Sequence, residues 1–293
     1  MKKKKQKIRL KRNTRLLVLL ILLFICLSIN KQQTSEAKQY ESKNITVEEK
    51  LKKLNNVQKK VEYFNEEYIN RYYSYQINHK KLSSTQVIKD VNMNLDKKEY
   101  EESNPAKGEN TDLVFVNKYY YLSSSYIPNN LESISIEYAK SNMRLVSSAK
   151  NAFEEMAKQA KIEGLNIIAM STYRSYDYQV NLYNRYVKKD GKEKADTYSA
   201  RPGYSEHQTG LAVDIYNGIE DYTNFENTQE FIWMSNNAHK YGFILRYPKG
   251  KENETKYQYE SWHYRYVGVE VATYVKEQNI TLEEYYATII KDW

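Results

Sequence analysis

The sequence predicts an α+β fold, a small antiparallel sheet with flanking helices, and three observations predict it. Strand-like and helix-like segments are mixed without the regular alternation of a doubly wound sheet. The apolar run Leu165 to Met170 is short and unbroken, as in a buried strand, and follows a helical pattern. A hydrophobic content of 41% over 293 residues supplies a core for one domain of about 200 residues together with additional segments.

The chain opens on charge. Residues 1 to 15 hold nine lysines and arginines and no acid, whereas the whole chain carries +8, which leaves everything after Arg15 at −1. The body therefore lacks the excess charge that would release counterions from a polynucleotide, and nucleic acid is excluded as a partner. An apolar stretch from Leu16 to Ile29 follows, then a polar segment with Ser35-Glu36-Ala37. That is the layout of a secretory signal, with cleavage expected after Ala37. An uncleaved signal anchor, attached to the membrane through residues 16–29, is the alternative. Either way the body is expected outside the cytoplasm, secreted or on the outer face of the membrane. Cys26 is the only cysteine and lies in the apolar stretch, so the exported body must draw any metal ligands from His, Asp and Glu.

Residues 38–85 read as a helical spacer. Thr46-Val47-Glu48-Glu49 forms a capping-box pattern, and Leu51, Leu54, Val57, Val61, Phe64, Tyr68 and Tyr72 recur at helical spacing. Residues 86–293 form the main domain. Leu113 to Val116 and Tyr119 to Leu122, around Asn117-Lys118, suggest a hairpin. A helical pattern runs from about Ile136 to Gln159 and ends near Gly164. Asn227-Thr228-Gln229-Glu230 opens a further helix with Phe231, Met234, Ala238 and Tyr241 on one face and Gly242 as its stop. Phe243 to Tyr247 and Gln258 to Val267 read as strands.

Four histidines are available for chemistry. His79 lies in a polar stretch, and His239 falls in the last turn of a helix, where it complements the carbonyl end. His207 and Asp214 stand seven apart in Ser205-Glu206-His207-Gln208-Thr209-Gly210-Leu211-Ala212-Val213-Asp214. Alone, the pair reads more simply as a buried His near a strand end and an Asp opening a turn. His263, in Glu260-Ser261-Trp262-His263, adds a third donor and completes a His, Asp, His set that leaves zinc an open position. A bound Zn²⁺ lowers the pKa of its water to roughly 7, and Glu260 is the candidate to move the proton. Residues three apart on a regular strand face opposite sides, so Glu260 and His263 cooperate only if the strand begins or bends between them. Arg174, in Tyr173-Arg174-Ser175 just after the expected strand, serves either as a surface ion pair or as a guanidinium for a peptide carboxylate or developing oxyanion.

Tyr173-Arg174-Ser175, the S-x-H-x-x-G-x-A-x-D run at 205–214 and the E-x-W-H run at 260–263 occur in one order and together resemble the VanY-like D-alanyl-D-alanine carboxypeptidases. The similarity spans about Val87 to Gly268 and includes Arg246-Tyr247-Pro248 and Tyr264-Arg265-Tyr266-Val267-Gly268. The resemblance implies the hedgehog/D,D-peptidase-like zinc peptidase fold, related to D,D-dipeptidases and L,D-carboxypeptidases. It implies one Zn²⁺ per chain on His207, Asp214 and His263, with Glu260 as base and Arg174 as catalytic and substrate contact. Ser205 and Gln179 are implied as further substrate-binding residues. The implied substrate is a peptidoglycan stem peptide or precursor ending in D-Ala-D-Ala. Two alternatives stay open: an L,D-carboxypeptidase acting on the tetrapeptide stem, and a non-catalytic zinc-containing wall-binding module. Two departures stand in the last motif, Lys256 where a Gly is expected and Ser261 where a Pro is expected.

Overall fold

The computed structural model describes residues 45–290. The expected signal or anchor, residues 1–37, lies outside them. Among the described residues no helix is long and apolar enough to cross a membrane. The chain divides into two compact units between Ile88 and Lys89.

In the first unit the expected single helix is broken. Helix α1 (Val47–Lys53) has the capping box, with the Thr46 side chain accepting from the Glu49 N–H and the Glu49 side chain accepting from the Thr46 N–H. It stops because Asn55 and Asn56 both adopt left-handed conformations, φ +55° and +51°, which asparagine tolerates better than most residues. Two single 3₁₀ turns follow before α2 (Ile69–Asn78). Of the seven apolar positions Leu54, Val57, Val61 and Tyr72 are buried, but they are carried by separate helices and turns and not by one continuous helix. Helix α3 (Ser84–Asn92) runs on from there.

The second unit is built on a four-stranded antiparallel sheet. Its strands are β5 (Ile168–Ser171), β6 (Ala212–Tyr216), β7 (Phe243–Leu245) and β8 (His263–Tyr266), in the order β5-β6-β8-β7. Two smaller pairings precede them: β1 (Asn104–Pro105) with β2 (Tyr120–Tyr121) in parallel, and β3 (Leu131–Ser133) with β4 (Arg144–Val146) antiparallel. Alternation along β6 sends Val213 and Ile215 into the apolar core and Asp214 to the opposite face; on β8 it sends Tyr264 to the core and His263 and Arg265 away from it. One face of the sheet is thus apolar and the other carries chemistry.

Helix α4 (Ser147–Ile162) covers the apolar side. Ala149, Phe153, Met156, Ala157 and Ala160 are its buried stripe, at the three-and-four spacing of an amphipathic helix, and Phe153 meets the β7 residue Phe243 edge-on at 6.3 Å between ring centroids. Burying such a phenylalanine contributes about 1.5–3 kcal/mol. The sequence expectation started this helix about ten residues too early. Residues 136–146 hold instead a left-handed Asn142, φ +64°, and strand β4, and Ile136 is exposed.

The hairpin expected over 113–122 is reduced to one bridge, Asn117 with Tyr120. The reason lies in the backbone acceptors of its first limb: the Val114 carbonyl accepts from Arg265 Nη2 at 2.6 Å and the Leu113 carbonyl from the Tyr286 hydroxyl. Helix α5 (Tyr176–Asp190) begins at Ser175, whose hydroxyl accepts from the Tyr178 N–H at 3.2 Å. Helix α6 (Gln229–Asn237) is capped by Thr228 and ends, after a 3₁₀ turn, at Gly242 with φ +81°. Helices α7 (Val269–Gln278) and α8 (Leu282–Tyr285) follow, and a π-helical turn (Tyr286–Ile290) closes the described chain.

Candidate metal centre

Three strands deliver the site in one row. Across β5 and β6 Ser171 is paired with Asp214, and across β6 and β8 Asp214 is paired with His263. His207 arrives from a 3₁₀ turn (Glu206–Thr209) that leads into β6, and Gly210, at φ +69°, reverses the chain between them. A β-carbon there would lie 2.9 Å from Leu131 Cδ2 and 3.1 Å from Val146 Cγ2, so both conformation and space favour glycine.

His207, Asp214 and His263 are all buried, and each offers a donor atom within 4.8 Å of the other two. The Asp214 carboxylate spans the pair, with Oδ2 3.3 Å from His207 Nε2 and Oδ1 3.0 Å from His263 Nδ1. The His207 Nδ1 lies 2.7 Å from the Thr172 carbonyl. A carbonyl only accepts, so Nδ1 carries the proton and the lone pair of Nε2 points into the cluster. Burial and the nearby Arg174 charge push the His207 pKa down to about 4, which keeps the imidazole neutral as a metal ligand requires. At Asp214 burial alone would favour the neutral acid, but the Arg174 charge and the hydrogen bond with His263 hold the carboxyl well below its ordinary value. At His263 burial would lower the pKa, but hydrogen bonds to Asp214 and Glu206 raise it to about 9, so this ring would release a proton on binding a metal. Two imidazoles and an ionised carboxylate, with no thiol, are a donor set suited to zinc with a further position open.

Strand β8 begins at His263, and residues 261–262 form a turn. The expected interruption between Glu260 and His263 is therefore present, and the strand expected from Gln258 is shorter. The Glu260 N–H donates to the Tyr247 carbonyl at 3.1 Å and the Glu260 carbonyl accepts from the His263 N–H at 3.4 Å. This brings Glu260 Oε2 to 3.7 Å from His263 Nδ1. Burial raises the Glu260 pKa to about 7, with the Asp214 charge acting in the same direction, a value suited to exchanging protons near neutrality. The two departures lie in this stretch: Lys256 takes φ +63°, the conformation in which glycine is unstrained, and Ser261 is buried.

Arg174 stands beside the cluster. Its Nε and Nη2 donate to Ser171 Oγ at 3.0 and 2.7 Å, and Nη2 also reaches Asp214 Oδ2. The Nε–Nη2 edge is committed to the protein, so the guanidinium does not offer that fork to a carboxylate. Ser205 and Gln179 are buried, and the Gln179 amide donates from Nε2 to the Ala200 carbonyl at 2.8 Å while its buried Oε1 has no hydrogen-bond partner. All seven residues singled out from sequence, Arg174, Gln179, Ser205, His207, Asp214, Glu260 and His263, line one cavity of about 690 Å³. His79 and His239 do not line it.

Sequence reasoning gave no role to Glu206, Arg246, Arg265 and Glu283, which form a buried charged layer behind His263. A signal was present: Arg246 and Arg265 interrupt runs otherwise rich in strand-forming residues, and an arginine buried in such a place needs a charged partner.

Among known proteins, residues 142–269 match the family described as VanY: D-alanyl-D-alanine carboxypeptidase. The chain is 44% identical over 186 residues to the putative carboxypeptidase YodJ of Bacillus subtilis (strain 168), covering 61% of this chain and 68% of that protein. Its fold is similar to that of the LdcB LD-carboxypeptidase, with a TM-score of 0.61 and 40% identity over 66% of this chain and 93% of that one. It is similar also to a mutant of the vancomycin resistance D,D-pentapeptidase VanY solved in complex with Zn(II), with a TM-score of 0.51 and 32% identity over 59% of this chain and 98% of that one.

Proposed function

Since the chain belongs to the VanY family of D-alanyl-D-alanine carboxypeptidases and is a metallocarboxypeptidase, we propose that it removes the C-terminal D-alanine from peptidoglycan stem peptides or precursors ending in D-Ala-D-Ala. The observation that carries this reading is the convergence of His207, Asp214 and His263 on one point with the Glu260 carboxylate beside it. His207, Asp214 and His263 would hold one zinc ion per chain, which would supply Lewis acidity at the scissile carbonyl and acidify water. Glu260 takes the proton from the attacking water and delivers it to the leaving amine. Arg174, fixed by Ser171, turns its remaining Nη1 toward the oxygen on which charge develops. Gln179 Oε1, a buried acceptor, receives an N–H of the peptide, and Ser205 contributes at the terminal carboxylate.

A second reading is supported by the likeness to LdcB, named as an LD-carboxypeptidase: cleavage of the tetrapeptide stem with the same machinery. The two are separated by incubating the zinc-loaded protein with a pentapeptide ending in D-Ala-D-Ala and with the corresponding tetrapeptide, and quantifying free D-alanine. Release from the pentapeptide alone supports the first reading, release from the tetrapeptide alone the second, and none from either refutes both. Glu260→Ala is expected to lower turnover at least 10²-fold with zinc still bound, as metal analysis of the purified variant will tell. The body acts outside the cytoplasmic membrane on this proposal, supported by the basic and apolar residues 1–29. Resistance of the folded body to protease added to intact protoplasts would refute that location, provided the same protease digests it after lysis.

A further inference from the structure

Behind the metal ligands lies a layer of buried charge that the proposed chemistry does not use. The Glu206 side chain is fully buried. Its Oε1 accepts from Arg246 Nε at 2.7 Å and from Arg265 Nη1 at 3.1 Å, and its Oε2 lies 3.4 Å from His263 Nε2. Neither arginine is free to move. Arg246 grips both oxygens of Glu283 at 2.8 and 2.7 Å, and Arg265 Nη2 donates to the carbonyls of Val114 and Asp112 at 2.6 and 3.1 Å. Glu206 is thereby clamped through Oε1, and its Oε2 is left to His263.

We infer that Glu206 is a positioning residue that accepts the Nε2–H of His263 and so selects Nδ1 as the nitrogen His263 turns to the metal. Both ring nitrogens face an ionised carboxylate, which can only accept. Glu206 is held by two arginines and would keep the proton on Nε2, whereas the other nitrogen faces a carboxylate that would itself bind the metal, so a metal ion would replace the proton only there. That other nitrogen, Nδ1, is the one beside Asp214 Oδ1. His207 is set the opposite way, with Nδ1 on the Thr172 carbonyl and Nε2 toward Asp214. The two histidines therefore present different ring nitrogens to one ion, each fixed by a different acceptor. Glu206 is not a catalytic residue, since both its oxygens are engaged, Oε1 by Arg246 and Arg265 and Oε2 by His263. The inference rests on the zinc reading above.

The test uses the full chain labelled with ¹⁵N-histidine and loaded with zinc. Imidazole ¹⁵N spectra are expected to show His263 protonated at Nε2 and metal-bound at Nδ1, and His207 protonated at Nδ1 and metal-bound at Nε2. Zinc bound through Nε2 of both rings overturns the inference and leaves the zinc reading intact. Absence of any zinc-dependent imidazole shift overturns the zinc reading and this inference with it. In the Glu206→Gln variant the zinc Kd, measured by competition with a chromophoric chelator, is expected to rise on the order of 10–100-fold. Unchanged affinity in the folded variant would overturn the assignment. Should that variant not fold, the spectra of the unaltered chain decide.

Discussion

Asp214 is approached by two imidazoles and one guanidinium, and each neighbour has a separable job. Arg174 holds Ser171 with one edge and can offer little more than Nη1 outward. Lysine has neither the planar fork nor the reach to hold Ser171 and project a donor together. Arg174→Lys is therefore expected to lower kcat about 10–100-fold while zinc content, measured on the purified protein, stays at the level of the unaltered chain. Gln179 behaves differently because its Oε1 is buried without a partner, a condition that costs about 1–3 kcal/mol until a donor arrives. Gln179→Ala is expected to raise KM roughly tenfold at nearly constant kcat, read from steady-state kinetics on the preferred stem peptide. A fall in kcat without a change in KM would place Gln179 in the chemical step instead.

Elements were legible in the sequence to the extent that their own side chains decide them. Helix α6 and its stop at Gly242 follow from local capping and periodicity, and His207, Asp214 and Glu260 could be singled out from spacing and resemblance. The hairpin over 113–122 and the start of α4 are not legible locally because distant residues decide them: β4, which delays α4, donates from the Arg144 N–H to Thr172 Oγ1 and from the Val146 N–H to the Gly210 carbonyl, each at 2.9 Å. Arg265, far along the chain, takes the carbonyl that a strand partner would have used. Glu206 carries no local signal for the same reason, since its partners come from β8 and from the residue after β7. The turn that aims Glu260 carries a cost that was legible as a departure at Lys256. A left-handed L-residue is disfavoured by about 1–2 kcal/mol, and glycine recovers part of this after its greater unfolded-state entropy is counted. Lys256→Gly is expected to stabilise the protein by about 0.5–1 kcal/mol, measured by denaturant unfolding. Phe153→Ala, which empties the stripe of α4, is expected to cost about 3–5 kcal/mol in the same measurement.

For the second unit as a whole, stability depends on charges gathered from far apart in sequence. Glu284 receives Lys89 at 2.8 Å and Lys251 at 2.9 Å, and its Oε2 accepts from the Thr281 N–H at 2.9 Å. Burial alone would raise its pKa, but the hydrogen bonds from Lys89 and Lys251 outweigh it and hold the carboxyl below the ordinary 4.5. A group depressed in the folded state contributes stability above its unfolded pKa and loses it as pH falls through the folded value. The melting temperature is therefore expected to fall as pH drops below about 4.5, and Glu284→Gln to reduce that dependence. An equal acid dependence in the variant would remove Glu284 from the explanation.

Ser171, Asp214 and His263 stand opposite one another on three neighbouring strands. A slip of β6 by a single residue would turn Asp214 into the apolar core and Val213 toward the histidines. Correct ligation is thus a statement about sheet alignment, and a chain that takes up zinc with full affinity has already aligned those strands. During refolding, metal capture is expected to report the moment at which segments some ninety residues apart in the chain, Ser171 and His263, come into step.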